Sequence, residues 1–314
     1  MGGGIDYSKE YLTFVSLADN NTIGLKYTGS VSKTVSVSTD GGSTWTSVTS
    51  STGGTTLATL NTGDKLLIKG SNTQYATGGS NYNYFTATQD FNIYGNIMSL
   101  VGGDSFADLT SLTSNYAFLR LFYNCSNMKD ATNLIMPATT LKSACYYGTF
   151  RGCSGMTGAP ALPAITLQTQ CYYQMFFGCS SLTTAPVLPS TTLANTCYSY
   201  MFYGCTSLTT APVLSATILM YNCYSFMFSN CTSLTTAPVL SATTLAESCY
   251  QAMFSGCSNM NSITCLATDI SASTCLQNWV RNVAASGTFI KDSTMTGWPT
   301  GTSGIPSGWT VVDY

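Results

Sequence analysis

The sequence predicts an α/β solenoid preceded by an all-β, sandwich-like domain, and three observations carry that prediction. First, Cys145, Cys171, Cys197, Cys223, Cys249 and Cys275 recur every 26 residues, as do Phe150, Phe176, Phe202, Phe228 and Phe254. Self-similarity at a fixed period of this length marks repeats that bury a shared core by stacking. Second, within one unit Leu193, Cys197 and Met201 fall at i, i+4 and i+8 beside Tyr198 and Phe202, the apolar stripe of a helix. Third, residues 1–100 alternate Thr, Val, Tyr and Phe with polar residues between clusters of Gly, Asn and Asp, which is a strand pattern. The predicted domains are therefore 1–100, β-sandwich-like; 101–285, a solenoid; and 286–314, a C-terminal cap.

The N-terminal strands are expected at Tyr11–Leu17, Ile23–Tyr27, Thr34–Ser38, Thr44–Val48, Thr56–Leu60, Lys65–Lys69 and Tyr84–Thr88. Asp40-Gly41-Gly42 is a hairpin turn signal. Ser38 to Trp45 reads S-x-D-x-G-x-T-W and resembles the Asp-box hairpin of sialidases and other β-proteins. In that family the box is structural, so the resemblance implies a hairpin and no activity.

From Met128 the units are anchored at Met128, Met156, Leu182, Leu208, Leu234 and Met260, with two extra residues near 132–135 in the first. Arg120 to Cys125 reads as the second half of an earlier, incomplete unit. Each unit starts with a short strand that ends before Pro160, Pro186, Pro212 or Pro238, because proline has no N–H for a ladder. A helix is expected to follow, N-capped by Thr191 or Thr192 in the unit 182–207. Its stop is Asn124, Gly152, Gly178, Gly204, Asn230 or Gly256, the two residue types that best tolerate a left-handed C′ cap. In the last unit Trp279 and Val280 replace Met and Phe, and residues 286–314 are expected to close the open end.

The segments Met175 to Leu182, Met201 to Leu208 and Met227 to Leu234 read M-F-x-[GN]-C-[ST]-S-L. Together with the preceding strand and turn they resemble the BspA-type leucine-rich repeat, whose units commonly end in A-F-x-x-C-x-x-L. The resemblance covers about residues 120–285. It implies an α/β leucine-rich-repeat solenoid and a place among bacterial surface proteins that bind host proteins or other cells. Similar Thr-Thr-Ala-Pro repeats occur in proteins of gut bacteria and their phages. The N-terminal Met1-Gly-Gly-Gly-Ile-Asp-Tyr lacks the basic and apolar regions of a secretory signal, which fits a phage virion better than a secreted protein. The expected location is extracellular, on a virion or a cell surface.

Composition narrows the function. Charged residues make up 8% of the chain, the net charge is −2, and Gly152 to Ala246 contains no Asp, Glu, Lys or Arg. Phosphate neutralisation on a nucleic acid is excluded, and no apolar run reaches the roughly 18 residues of a membrane span. An uncharged surface of this length protects poorly against association, so a homo-oligomer, fibre or larger particle is expected. With no histidine, Ser–His and Cys–His chemistry is impossible. With no C-x-x-C pair either, no zinc site is expected. Asp104, Asp108, Asp130, Glu247 and Asp269 read as solvated acids, no phosphate loop follows a strand, and no cofactor is expected. The cysteines read as buried free thiols, because neighbouring helices about 8–10 Å apart hold them beyond the roughly 7 Å Cα separation of a disulfide.

The positions that vary between fixed core positions are the candidates for contact with a ligand. Tyr146, Tyr172, Tyr198, Tyr224 and Tyr250 hold one fixed place and read as half-buried spacers. Two residues on stand Gly148, Gln174, Tyr200, Phe226 and Ala252, and the last helical position holds Phe177, Tyr203, Ser229 and Ser255. Gln174, Phe177, Tyr200, Tyr203 and Phe226 are therefore the predicted contacts for a protein or glycan receptor; the same variability also reads as plain surface drift. Thr183-Thr184, Thr209-Thr210 and Thr235-Thr236 read as exposed strand. The expected function is non-enzymatic binding or adhesion. The alternatives are a purely structural virion or fibre component and, more weakly, a carbohydrate-active enzyme.

Overall fold

The computed structural model describes residues 5–314. Its N-terminal strands are β1 (Leu12–Ser16), β2 (Asn21–Tyr27), β3 (Thr34–Ser38), β4 (Thr46–Thr49), β5 (Thr55–Leu60), β6 (Lys65–Lys69), β7 (Ala76–Gly78), β8 (Asn81–Ala87) and β9 (Phe91–Asn96). One antiparallel sheet has the order β5-β2-β8-β7, and the other runs β9-β1-β6-β3-β4. Alternate residues turn inward between them: Phe14 of β1 meets Phe85 of β8 at 5.2 Å, and Ile23, Leu25, Leu66 and Phe91 are fully buried. Of these strands, β7 and β9 have no counterpart among the segments read from the sequence. Two short strands of the first repeat, β10 (Met128–Asp130) and β11 (Leu134–Ile135), pair in parallel with β9, so a single core runs from this sheet into the repeats.

The repeats correct the predicted fold class. They are not an α/β leucine-rich-repeat solenoid, because no repeat contains a helix; the one α-helix among the described residues is the single turn Ser99–Gly102. The expected helical stretches are ribbons of overlapping turns. In the unit around Tyr200, Cys197, Met201, Tyr203 and Cys205 donate their N–H groups to the carbonyls three residues back. The alternate residues Thr196, Tyr198, Tyr200, Phe202 and Gly204 donate instead to Tyr221, Cys223, Ser225, Met227 and Ser229 of the next coil, over 2.8–3.1 Å. Donors along the ribbon thus alternate between acceptors within the same coil and acceptors on the next. Every fourth residue is left-handed: Thr196, Tyr200 and Gly204 have φ of 59°, 56° and 71°. The same trio recurs from Tyr116, Arg120 and Asn124 to Thr274, Asn278 and Asn282. The residue types explain the choice. Apart from Ala194 and Met201, residues 194–205 are Asn, Thr, Cys, Tyr, Ser, Phe and Gly, all weak helix formers.

The glycines and asparagines expected as helix stops are left-handed, but as the third such residue of each ribbon. Gly152 and Gly256 are also required by space. A Cβ there would lie 2.1 Å from Oδ1 of Asn124 and Asn230, the equivalent side chains one coil earlier.

Core rings stack from coil to coil. Phe122, Phe150, Phe176, Phe202, Phe228 and Phe254 form one buried column with centroids 5.4–5.9 Å apart. The limb that carries the prolines pairs only in places, since each proline withholds an N–H from a ladder. Thr184 bridges Thr210 and Thr236 bridges Ser262. Between these bridges, Val213 to Met220 donate no backbone hydrogen bond to a neighbouring coil. Regular pairing returns at the C-terminal end in the parallel sheet of β12 (Ser262–Cys265), β13 (Thr288–Lys291) and β14 (Thr310–Asp313). There the buried Trp279 packs against Phe289 and Trp298.

All thirteen cysteines are buried free thiols. Since the repeats contain no helix, helix spacing is not what separates them. The second series has a bonding role: Cys153, Cys179, Cys205, Cys231 and Cys257 donate S–H to the carbonyls of Phe122, Phe150, Phe176, Phe202 and Phe228 one coil earlier, at 2.9–3.2 Å.

Candidate functional site

The variable positions of the ribbons lie in columns, because residues 26 apart occupy the same place on successive coils. Tyr200 stacks on Phe226 with centroids 4.5 Å apart and planes 4° from parallel, and Phe177 stacks on Tyr203 at 4.6 Å and 6°. Tyr147 and Tyr173 form an adjoining column at 4.7 Å, Tyr173 meets Tyr200 edge-on at 5.7 Å, and Tyr200 touches Tyr203 at 5.8 Å. The Arg151 guanidinium covers Phe177 at 4.6 Å. Arg120 sits among Tyr82, Tyr123 and Tyr147 at 5.0, 5.4 and 5.5 Å. Tyr82 is on β8 and Tyr123 on the first ribbon, so the band runs from the sandwich across successive repeats.

Four of the five predicted contacts, Phe177, Tyr200, Tyr203 and Phe226, belong to this band and are half-buried. Gln174 does not face solvent as expected. It is 8% exposed, and its side-chain oxygen accepts a hydrogen bond from Arg151. The rings also spend their faces on one another, so they offer edges and hydroxyls to a partner. Gln174, Tyr200 and Phe226 each have φ of 56°, a conformation costing about 1–2 kcal/mol for a residue with a Cβ. Cross-coil hydrogen bonds and ring stacking hold it in place. Burial, then the neighbouring Tyr147 and Tyr200, push the Tyr173 phenol up to about 12, partly offset by the two arginines. It stays a neutral hydroxyl at physiological pH.

Arg120, Arg151, Tyr82, Tyr123, Tyr147 and Tyr173 were not among the sequence candidates. A signal existed for the arginines, since Arg151 is the last cation before the charge-free stretch. The fixed tyrosines 146, 172, 198, 224 and 250, read as half-buried spacers, are in fact at most 2% exposed and form a second core column.

The proline limb forms a different surface. The threonine pairs 183–184, 209–210 and 235–236 are exposed there. Val187, Val213 and Val239 stand 75%, 76% and 51% exposed beside them. The sparse carboxylates do local work. Asp104 accepts from Tyr11 and Lys69, Asp130 from Thr132, and Asp269 from Ser271. Among the described residues no group of His, Cys, Asp or Glu is placed to hold a metal, and no helix is long and apolar enough to cross a membrane. Comparison with family models, curated proteins and solved structures gave no match.

Proposed function

We propose that this protein is a non-enzymatic binding or adhesion protein that recognises its receptor through the tyrosine–arginine band, and that it works as a homo-oligomer or within a larger assembly on a phage virion or a bacterial surface. The observation that supports this most is the band's make-up. Half-buried Tyr and Phe side chains held by stacking lose little entropy on binding, and Tyr and Arg are the residue types that concentrate binding energy. The surrounding Ser, Gly and Asn of the ribbons supply adaptable hydrogen bonds in the manner of an antibody paratope. Because the ring faces are occupied, a protein receptor is favoured over a glycan that needs an open ring to stack upon.

The test is binding of the fluorescently labelled full chain to gut-bacterial cells, to host surface proteins and to a glycan array. The expected result is saturable binding that Tyr200→Ala/Phe226→Ala abolishes and that protease treatment of the target removes. Unchanged binding by that variant, with an unaltered melting curve, refutes the band as the site. Hydrolysis of any glycan refutes the non-enzymatic reading.

A further inference from the structure

We infer that the proline limb is the surface on which a second copy of this chain docks, the exposed valine row of each copy seating in the inter-coil grooves of the other. This rests on the self-association proposed above and is independent of the receptor band.

The valines and the grooves come from the same 26-residue step. Val187, Val213 and Val239 each follow a proline, one per coil, and project into solvent. Between coils the limb opens. One groove of about 430 Å³ lies between Ala159–Pro163 and Ala185–Pro189, and another of about 280 Å³ lies between Thr209–Val213 and Thr236–Val239. The grooves lie where proline removes the N–H that would draw neighbouring coils together, and Val213 to Met220 donate no backbone hydrogen bond to a neighbouring coil. Knobs and grooves therefore share one spacing. An unrelated partner would have to match that spacing by coincidence over several coils, whereas a second copy carries it by construction.

Two further properties make the face self-complementary. No charged residue occurs from Gly152 to Ala246, so two copies bring no like charges together, a juxtaposition that suppresses association elsewhere. The flanking threonine hydroxyls both donate and accept, so either copy can satisfy the other. A twofold, isologous arrangement follows, with Val213, the middle of the row, nearest the axis. Contiguous exposed apolar surface of this kind on a soluble chain marks an interaction site.

The experiment is sedimentation velocity on the full chain over a concentration series. The variants are Val213→Glu, the milder Val187→Ser/Val239→Ser, and Val311→Lys/Val312→Lys on the exposed edge strand β14. The wild type is expected to dimerise. Val213→Glu should weaken dimerisation by more than about tenfold in Kd with an unchanged melting curve, the serine variant should weaken it in the same direction, and the edge variant should match the wild type. Dimerisation that survives Val213→Glu, or that only the edge variant disrupts, overturns the assignment of this face and leaves self-association standing. A wild type that is monomeric at the highest concentration reached overturns both.

Discussion

Replacing Thr196 by glycine is expected to stabilise this protein, whereas replacing its neighbour Asn195 by glycine is expected to destabilise it. Thr196 is a β-branched residue held at φ 59°, and its side chain makes no hydrogen bond. A left-handed conformation costs a residue with a Cβ about 1–2 kcal/mol, and glycine removes that cost. Against this stands the extra freedom glycine gives the unfolded chain, about 0.5–1 kcal/mol. The balance is a gain of about 0.5–1 kcal/mol. Asn195 is exposed, lies outside the left-handed set, and recovers no strain, so glycine there carries only the unfolded-state cost. Urea denaturation of both variants, followed by circular dichroism, reads the two midpoint shifts. A stacked array can depart from two-state behaviour, so the sign of each shift is the criterion rather than an extrapolated free energy. A helix across 194–204 would lose stability with both glycines. Losses of similar size at both positions would therefore refute the turn ribbon.

Other outcomes follow from the packing and the ionisable groups. Phe202→Ala removes a fully buried ring stacked between Phe176 and Phe228 and should cost about 3–5 kcal/mol in denaturant unfolding. Tyr203→Ala, half-buried with one parallel neighbour, should cost only about 1–2 kcal/mol. The Asp40 carboxylate is held well below the usual range by hydrogen bonds from the Thr44 side chain, the Thr44 backbone and Ser38. A depressed folded value means its stabilisation is intact above the unfolded value of about 3.9 and is lost as pH falls further. Asp40→Asn should flatten that acid limb in a series of thermal melts. Burial pushes the Cys145 and Cys197 thiols up to about 12 and raises the Tyr146 and Tyr172 phenols. Groups raised on folding stabilise below their unfolded values, so stability should decline as pH rises past about 8.5 for the thiols and about 10 for the phenols. Native thiols should be inert to a disulfide reagent until denaturant is added, and rapid reaction in buffer would contradict their burial.

The 26-residue step, the buried column of Phe150, Phe176 and Phe202, and the left-handed Gly178, Gly204 and Asn230 were all legible in the sequence. Each depends on one residue type returning to one place, which needs no knowledge of what lies opposite. The conformation between those fixed points was not legible. Burial of Leu193, Cys197 and Met201 suits an α-helix of 3.6 residues per turn and a ribbon repeating every four. Over eight residues the two drift apart by only about 80°, too little to move any of the three off the core. Helix propensity favours the ribbon, through Ser, Thr, Tyr, Asn and Cys, whereas the apolar pattern alone points to a helix. The ribbon also satisfies alternate N–H groups only through the next coil, so it has no meaning for one unit in isolation. For the same reason the sequence located the columns of Tyr200 and Tyr203 but not their state. That the ring faces are spent on one another, that Gln174 turns in to Arg151, and that Arg120 joins the sandwich to the repeats all follow from the coil-to-coil distance. That distance is a property of the stacked coils, and only the assembled tertiary structure contains it.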